Sequence, residues 1–137
     1  MNQDENLHGS LVLVDPELKN DPVKGQGKVA FIKYMSQNRD EIYVGFLDGR
    51  EAFYQAAELL RMKDKQAIFD VLRDNAHTLS LPDVKALYKI FLYEERGTNT
   101  ARVQALEIAR DNPSVWDKAL DRMLPQQKQE LSHHYTR

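Results

Sequence analysis

The chain has 137 residues, of which 42% are hydrophobic and 29% charged, and it contains no cysteine. That is apolar material for one domain, or for two small ones sharing a core, and it excludes disulfides, thiolate metal sites and a cysteine nucleophile. A net charge of -2 argues against a polycation built for non-specific nucleic-acid binding, and no apolar run approaches the ~18 residues that a membrane span requires.

The N-terminus, Met1-Asn2-Gln3-Asp4-Glu5-Asn6, is polar and acidic, unlike a secretory leader, so the expectation is a cytoplasmic protein. Residues 1–10 read as a disordered tail. Leu11-Val12-Leu13-Val14 is a short β-branched run closed by Asp15-Pro16 and reads as a strand. Glu17 to Gln26 carries Asn20, Pro22 and Gly25 and reads as a loop. Lys28 to Met35 is rich in strand formers, and Ser36-Gln37-Asn38-Arg39-Asp40 has turn composition. From Glu41 to Leu47 the pattern alternates, with Ile42, Val44 and Phe46 on one face and Glu41, Tyr43 and Gly45 on the other. Asp48-Gly49 is a hairpin signal, and Glu51-Ala52-Phe53-Tyr54 is the natural return strand.

At Ala56-Ala57-Glu58-Leu59-Leu60 the pattern turns helical, first as a short turn. A helix is expected from Asp64 to Asn75, with Ile68, Val71 and Leu72 in one stripe. Ser80 caps the next helix, with Asp83 in the capping-box position. That helix carries Val84, Leu87, Tyr88 and Phe91 at helical spacing, widened by Ile90 and Tyr93, and stops at Gly97. Thr98 or Thr100 caps a third helix carrying Val103, Leu106 and Ile108. Asn112-Pro113 opens a fourth with Trp116, Ala119, Leu120 and Met123, ended by Leu124-Pro125, and a last weak helix holds Leu131. The fold class is therefore α+β: a small antiparallel β-barrel or curled sheet over residues 11–61, then a compact bundle of four to five short helices over 62–137.

The N-terminal features resemble SH3-like small barrels, the group that includes KOW, Tudor and CarD-type modules. The residues that carry this are Gly25-Gln26-Gly27-Lys28-Val29, the strand ending Tyr34-Met35, Glu41 to Phe46, Asp48-Gly49, and the return strand before Leu59-Leu60. The likeness covers Leu11 to Arg61, and in CarD-type regulators a Tudor-like barrel likewise precedes a helical domain. What the resemblance implies is binding, to protein or nucleic acid, and fold alone does not fix function.

No constellation carries a recognisable reaction. Gly25-Gln26-Gly27-Lys28-Val29-Ala30 satisfies the dinucleotide pattern formally, but about ten residues separate it from the preceding strand and a β-rich stretch follows, so the glycines are read as shaping a turn. Among the histidines, His8, His133 and His134 lie in the polar ends, and His77 in a helix-to-helix loop has no partner at ligand spacing. Asp70 with Asp74, and Glu94 with Glu95, read as solvated helix surface. No catalytic, cofactor-binding or metal-binding residue is assigned, and no cofactor is expected. An enzyme of unrecognised type is the least favoured of three readings.

The binding candidates are Lys24, Lys28, Lys33, Tyr34, Arg39, Tyr43 and Arg50. All charged residues from Lys24 to Arg39 are positive, and strand alternation turns Tyr43 away from the Ile42/Val44/Phe46 face. Basic side chains beside exposed rings suit phosphates and bases. The commoner alternative is that Phe31, Phe46, Phe53 and one or two tyrosines fill a small barrel, and Tyr88, Phe91, Tyr93 and Trp116 the helical core. The first expectation is thus a non-enzymatic binding or adaptor protein acting on a protein partner. The second is a nucleic-acid-associated regulator using the basic and aromatic strip. No membrane association is expected.

Overall fold

In the computed structural model, residues 11–38 and 40–123 are described. Strands β1 (Leu11–Val14), β2 (Val29–Met35), β3 (Glu41–Phe46) and β4 (Glu51–Gln55) come first, then a 3-10 turn at Ala56–Glu58 and strand β5 (Leu59–Met62). Helices α1 (Lys65–Asn75), α2 (Leu81–Arg96), α3 (Asn99–Asp111) and α4 (Trp116–Ala119) follow, and a last strand, β6, spans Leu120–Arg122. The class is α+β. The sheet is antiparallel and open, with strand order β4-β3-β2-β1-β5-β6. Of the two forms expected for the β half, the sheet is the one adopted, and the closed barrel is not. The reason lies in the order itself: β4 occupies one edge and β6 the other, so no strand closes the ladder on itself.

The described residues form two compact units. One runs to Leu60 and includes Arg122 and Met123; the other is Arg61–Asp121.

In the first unit the alternation of β3 decides the core. Ile42, Val44 and Phe46 are buried, as their spacing predicts, and they pack with Val12, Ala30 and Ile32. The β3–β4 turn follows from Asp48-Gly49: Gly49 takes a φ of +95°, which glycine adopts at no steric cost, and the Asp48 carboxylate accepts from the Arg50 N–H at 3.0 Å. Ser36 holds the β2–β3 connection, its hydroxyl accepting from the Asp40 and Glu41 N–H groups at 3.1 and 3.0 Å.

The β1–β2 loop is held from inside. Asp21 is buried, and its carboxylate accepts from the Tyr54 hydroxyl at 2.6 Å, the Gly25 N–H at 3.0 Å and the Val23 N–H at 3.1 Å. Burial, then the bond to Asp21, pushes the Tyr54 phenol far above its ordinary range, which keeps it a donor. Gly25 has no room for a side chain: a Cβ there would lie 2.5 Å from both the Phe46 ring and the Tyr54 hydroxyl. Gly25 and Gly27 therefore shape a turn that leads into strand β2, not into a helix N-terminus.

In the second unit, capping sets the helix boundaries. Asp64, Ser80 and Thr98 accept from the N–H groups of Gln66, Asp83 and Ala101, and Gly97, with a φ of +74°, ends α2. The Asp83 side chain accepts from the Ser114 hydroxyl at 2.6 Å. Ile68, Leu87, Ile90 and Leu106 are buried.

Four expectations change. Leu59-Leu60 is the start of a strand and not of a helix, because Leu13 and Val14 pair with it. Leu120 lies in β6, so the helix expected to run from Trp116 through Met123 stops at Ala119. Asn112 does not cap with its side chain; its amide donates back to the Ile108 carbonyl at 2.8 Å. On α2 the inward residues are Ala86, Leu87 and Ile90, while Tyr88 is 54% exposed and Leu92 is also exposed. Phe91 packs against Phe69 with the rings tilted by 40° and their centroids 5.4 Å apart. Leu124-Pro125 and the helix at Leu131 lie outside the described residues.

Replacing Tyr54 with Phe leaves the buried Asp21 short of one donor, and urea unfolding is expected to show a loss of about 1–3 kcal/mol. Gly25→Ala, which must displace Phe46 or Tyr54, is expected to cost a similar ~1–3 kcal/mol. Unchanged midpoints would contradict the pinned loop.

Candidate functional site

The face of β2–β4 opposite the Ile42/Val44/Phe46 core is built by cross-strand register. Phe31, Gly45 and Glu51 stand in one row, and Tyr34, Tyr43 and Phe53 in the next. The second row depends on a bulge, since the pairing shifts between Ile32 and Tyr34. Without it, strict alternation from the buried Ile32 would point Tyr34 inward; with it, Tyr34 comes out beside Tyr43 and Met35 packs on the core.

The row is aromatic across three strands. Tyr43 and Phe53 pack with ring centroids 4.5 Å apart, a cross-strand pair of the kind worth roughly 0.2–1 kcal/mol. Tyr34 and Phe53 are 61% and 65% exposed. Gly45 lies under the neighbouring row: a Cβ on it would sit 3.0 Å from the Phe31 ring and 3.2 Å from the Lys33 stem. The missing side chain leaves room for the Phe31 ring and the Lys33 stem against the strand.

Charge on this face is paired within itself. The Glu51 carboxylate takes the Lys33 ammonium through one oxygen and the Tyr43 hydroxyl through the other. Hydrogen bonds from Lys33 and then Tyr43 hold the Glu51 carboxyl below its usual range. The bond to Glu51 raises the Tyr43 phenol, and likewise the Lys33 ammonium.

The other basic candidates sit elsewhere. Arg50, in the β3–β4 turn, bonds the Asp48 carboxylate at 3.0 Å and the Val23 carbonyl at 2.7 Å, and its guanidinium lies 5.4 Å from the centre of the Phe46 ring. The backbone bond from Arg50 is the first cause that lowers the Asp48 carboxyl, and Lys28 adds a smaller charge effect. Lys24 and Lys28 are exposed in the β1–β2 loop, Lys24 with a φ of +55°. Arg39 lies outside the described residues. Thus Lys33, Tyr34 and Tyr43 come together on the sheet face, and Lys24, Lys28 and Arg50 belong to the loop and turn.

Two participants were not among the sequence candidates. Glu51 neutralises Lys33, and Phe53 is exposed where it was expected to fill a barrel. The signal for Phe53 was present: a short turn at Asp48-Gly49 sets it across from Tyr43, outside the core face. Of the other rings assigned to that interior, Phe46 is buried, while Phe31 is half-buried on the outer face.

Among the described residues no group of three or more His, Cys, Asp or Glu side chains could hold a metal ion. Asp70 and Asp74 both pair with Arg73, and Glu94 approaches Arg102 at 3.9 Å. His77 is exposed in a 3-10 turn. Among the described residues no helix is long and apolar enough to cross a membrane. No family model, no curated protein and no solved structure matches the chain.

The Lys33–Glu51–Tyr43 link has a pH signature. Because Glu51 is held below its usual range, the link persists until the pH falls below that range. Because Tyr43 is raised, the phenol remains a donor above the usual tyrosine range. Replacing Glu51 with Gln is expected to bring the Tyr43 titration back down toward the ordinary value, read by NMR of the ring carbons. A Tyr43 titration that stays put would remove Glu51 as its cause.

Proposed function

We propose that the chain is a non-enzymatic binding protein whose sheet face, centred on Tyr34, Tyr43 and Phe53, docks a protein partner. One observation carries this reading. Two rings, each more than three-fifths exposed, flank a third in a single row, and the nearest cation is already neutralised by Glu51. Rings that offer large, rigid contact area within a polar surround are the usual anchors of protein interfaces. Monomeric surfaces seldom keep such area bare without use.

The nucleic-acid reading rests on the remaining cations. Phosphate recognition calls for unpaired positive charge beside the rings, since release of counterions supplies the affinity. Here Lys33 engages Glu51, and Arg50 engages Asp48 and the Val23 carbonyl. The geometry favours protein over nucleic acid.

The test places a photo-crosslinking amino acid at position 34 or 53, with position 66 on α1 as control, and irradiates the full chain in cell extract. Discrete protein adducts are expected from 34 and 53 and not from 66. Tyr34→Ala and Phe53→Ala should each change stability by no more than about 1 kcal/mol. In parallel, mixed-sequence RNA and DNA are titrated by fluorescence anisotropy at low salt. Tight binding that falls steeply with salt and weakens on Lys28→Ala and Lys33→Ala would replace this reading with the nucleic-acid one.

A further inference from the structure

Strand β4 ends the sheet on the side of the aromatic row. Within it, Ala52 and Tyr54 lie opposite Val44 and Ile42, and Phe46 donates its N–H to the Arg50 carbonyl at 2.7 Å. By antiparallel alternation the main-chain groups of residues 50, 52 and 54 serve β3, and those of Glu51, Phe53 and Gln55 point to the sheet's outer edge. The Gln55 N–H already donates to the Glu58 carboxylate at 2.9 Å. Proteins usually blunt such an edge with lysine, proline, a bulge or an inward charge. The strand Glu51-Ala52-Phe53-Tyr54-Gln55 has neither lysine nor proline, and its register with β3 is unbroken. Its one charge is neutralised by Lys33.

We propose that β4 pairs antiparallel with β4 of a second copy of this chain, about a two-fold axis through Phe53, so that two sheets join into one. This rests on the reading of the same face as a docking surface and names one occupant of its edge.

The register argues for a second copy. With Phe53 on the axis, each Phe53 faces the other and the two can exchange both main-chain bonds. Each Glu51 then stands across from Gln55 of the second copy, so no like charges oppose one another. A slide of the pairing by two residues would set Glu51 against Phe53, a slide by four would set Glu51 against Glu51, and either would lose this match. On the outer face the two Phe53 rings come side by side, and the aromatic rows of both copies join into one. A five-residue strand pair is a small interface, so the dimer is weak and forms at high protein concentration.

The absence of cysteine makes the register directly testable. A Phe53→Cys variant of the full chain places two thiols on the axis at about 5.5 Å between Cα atoms, within reach of a disulfide. Under mild oxidation it is expected to form a disulfide dimer roughly tenfold or more faster than Gln37→Cys, whose exposed position in the β2–β3 connection reports random collision. Wild type should show a sedimentation coefficient that rises with concentration, and Phe53→Lys should abolish the rise. A wild type that stays monomeric at submillimolar concentration, or a Phe53→Cys variant no faster than the control, overturns the self-pairing. Loss of the protein adducts at positions 34 and 53 would instead overturn the docking reading, so the two failures are distinguishable.

Discussion

The bulge between Ile32 and Tyr34 decides what this sheet presents. A strand carries side chains to alternate faces, so one extra residue transfers everything beyond it to the other side. In β2, Ala30 and Ile32 point into the core, and after the shift Met35 does so while Tyr34 stands beside Tyr43. Two results follow from the one irregularity. The core gains the adaptable side chain of Met35 at its margin, and the outer face gains the third ring of its row. The neighbouring Lys33 falls where its stem crosses above Gly45 and its ammonium reaches Glu51.

The two faces of β4 are held by different means. On the core side Tyr54 donates to buried Asp21 and meets Phe46 edge-on, with ring centroids 6.3 Å apart. Asp21 in turn fixes Gly25, whose bare Cα admits the Phe46 ring. An edge strand has neighbours on one side only, and this inward anchoring compensates for the missing ladder. The outer side is free of that duty. Phe53 can stay largely exposed because removing it would disturb a single ring contact, whereas removing Tyr54 would take one of three donors from a buried carboxylate.

Local chemistry was legible in the sequence, and long-range pairing was not. Ile42, Val44 and Phe46 announced their burial by alternation, Asp48-Gly49 its turn, Ser80, Thr98 and Gly97 their caps. Each of these signals is carried by residues within a few positions of one another. Leu59-Leu60 misled because two leucines suit a helix as well as a strand, and only pairing with Leu13 and Val14 selects the strand. Tyr88 misled in another way. The α2 segment is apolar around most of its girth, so spacing offered several stripes, and tertiary packing chose Ala86, Leu87 and Ile90. The bulge at Lys33 leaves no compositional trace, and with it the position of Tyr34 was hidden. So was the neutralisation of Lys33, which needs a partner eighteen residues away.

The same separation of near from far explains the chain path. The helical unit is entered and left side by side, with the Lys63 N–H donating to the Ala119 carbonyl at 2.8 Å and the Lys63 ammonium paired with Asp121 at 2.8 Å. On the sheet side, Arg122 bonds the Asp15 carboxylate at 2.9 Å and the Ala57 carbonyl at 2.7 Å, and the Met123 N–H reaches the Leu59 carbonyl at 3.0 Å. Strand β6 therefore ends, at Arg122, in the first unit although it lies far along the sequence. Joining its residues to Asp15, 107 positions away, would be entropically costly for a flexible chain, and the folded helices shorten that loop. The edge formed by β6 depends on this long closure, whereas the edge formed by β4 needs only a hairpin. The aromatic row is thus built on the part of the sheet whose pairings are the most local in sequence.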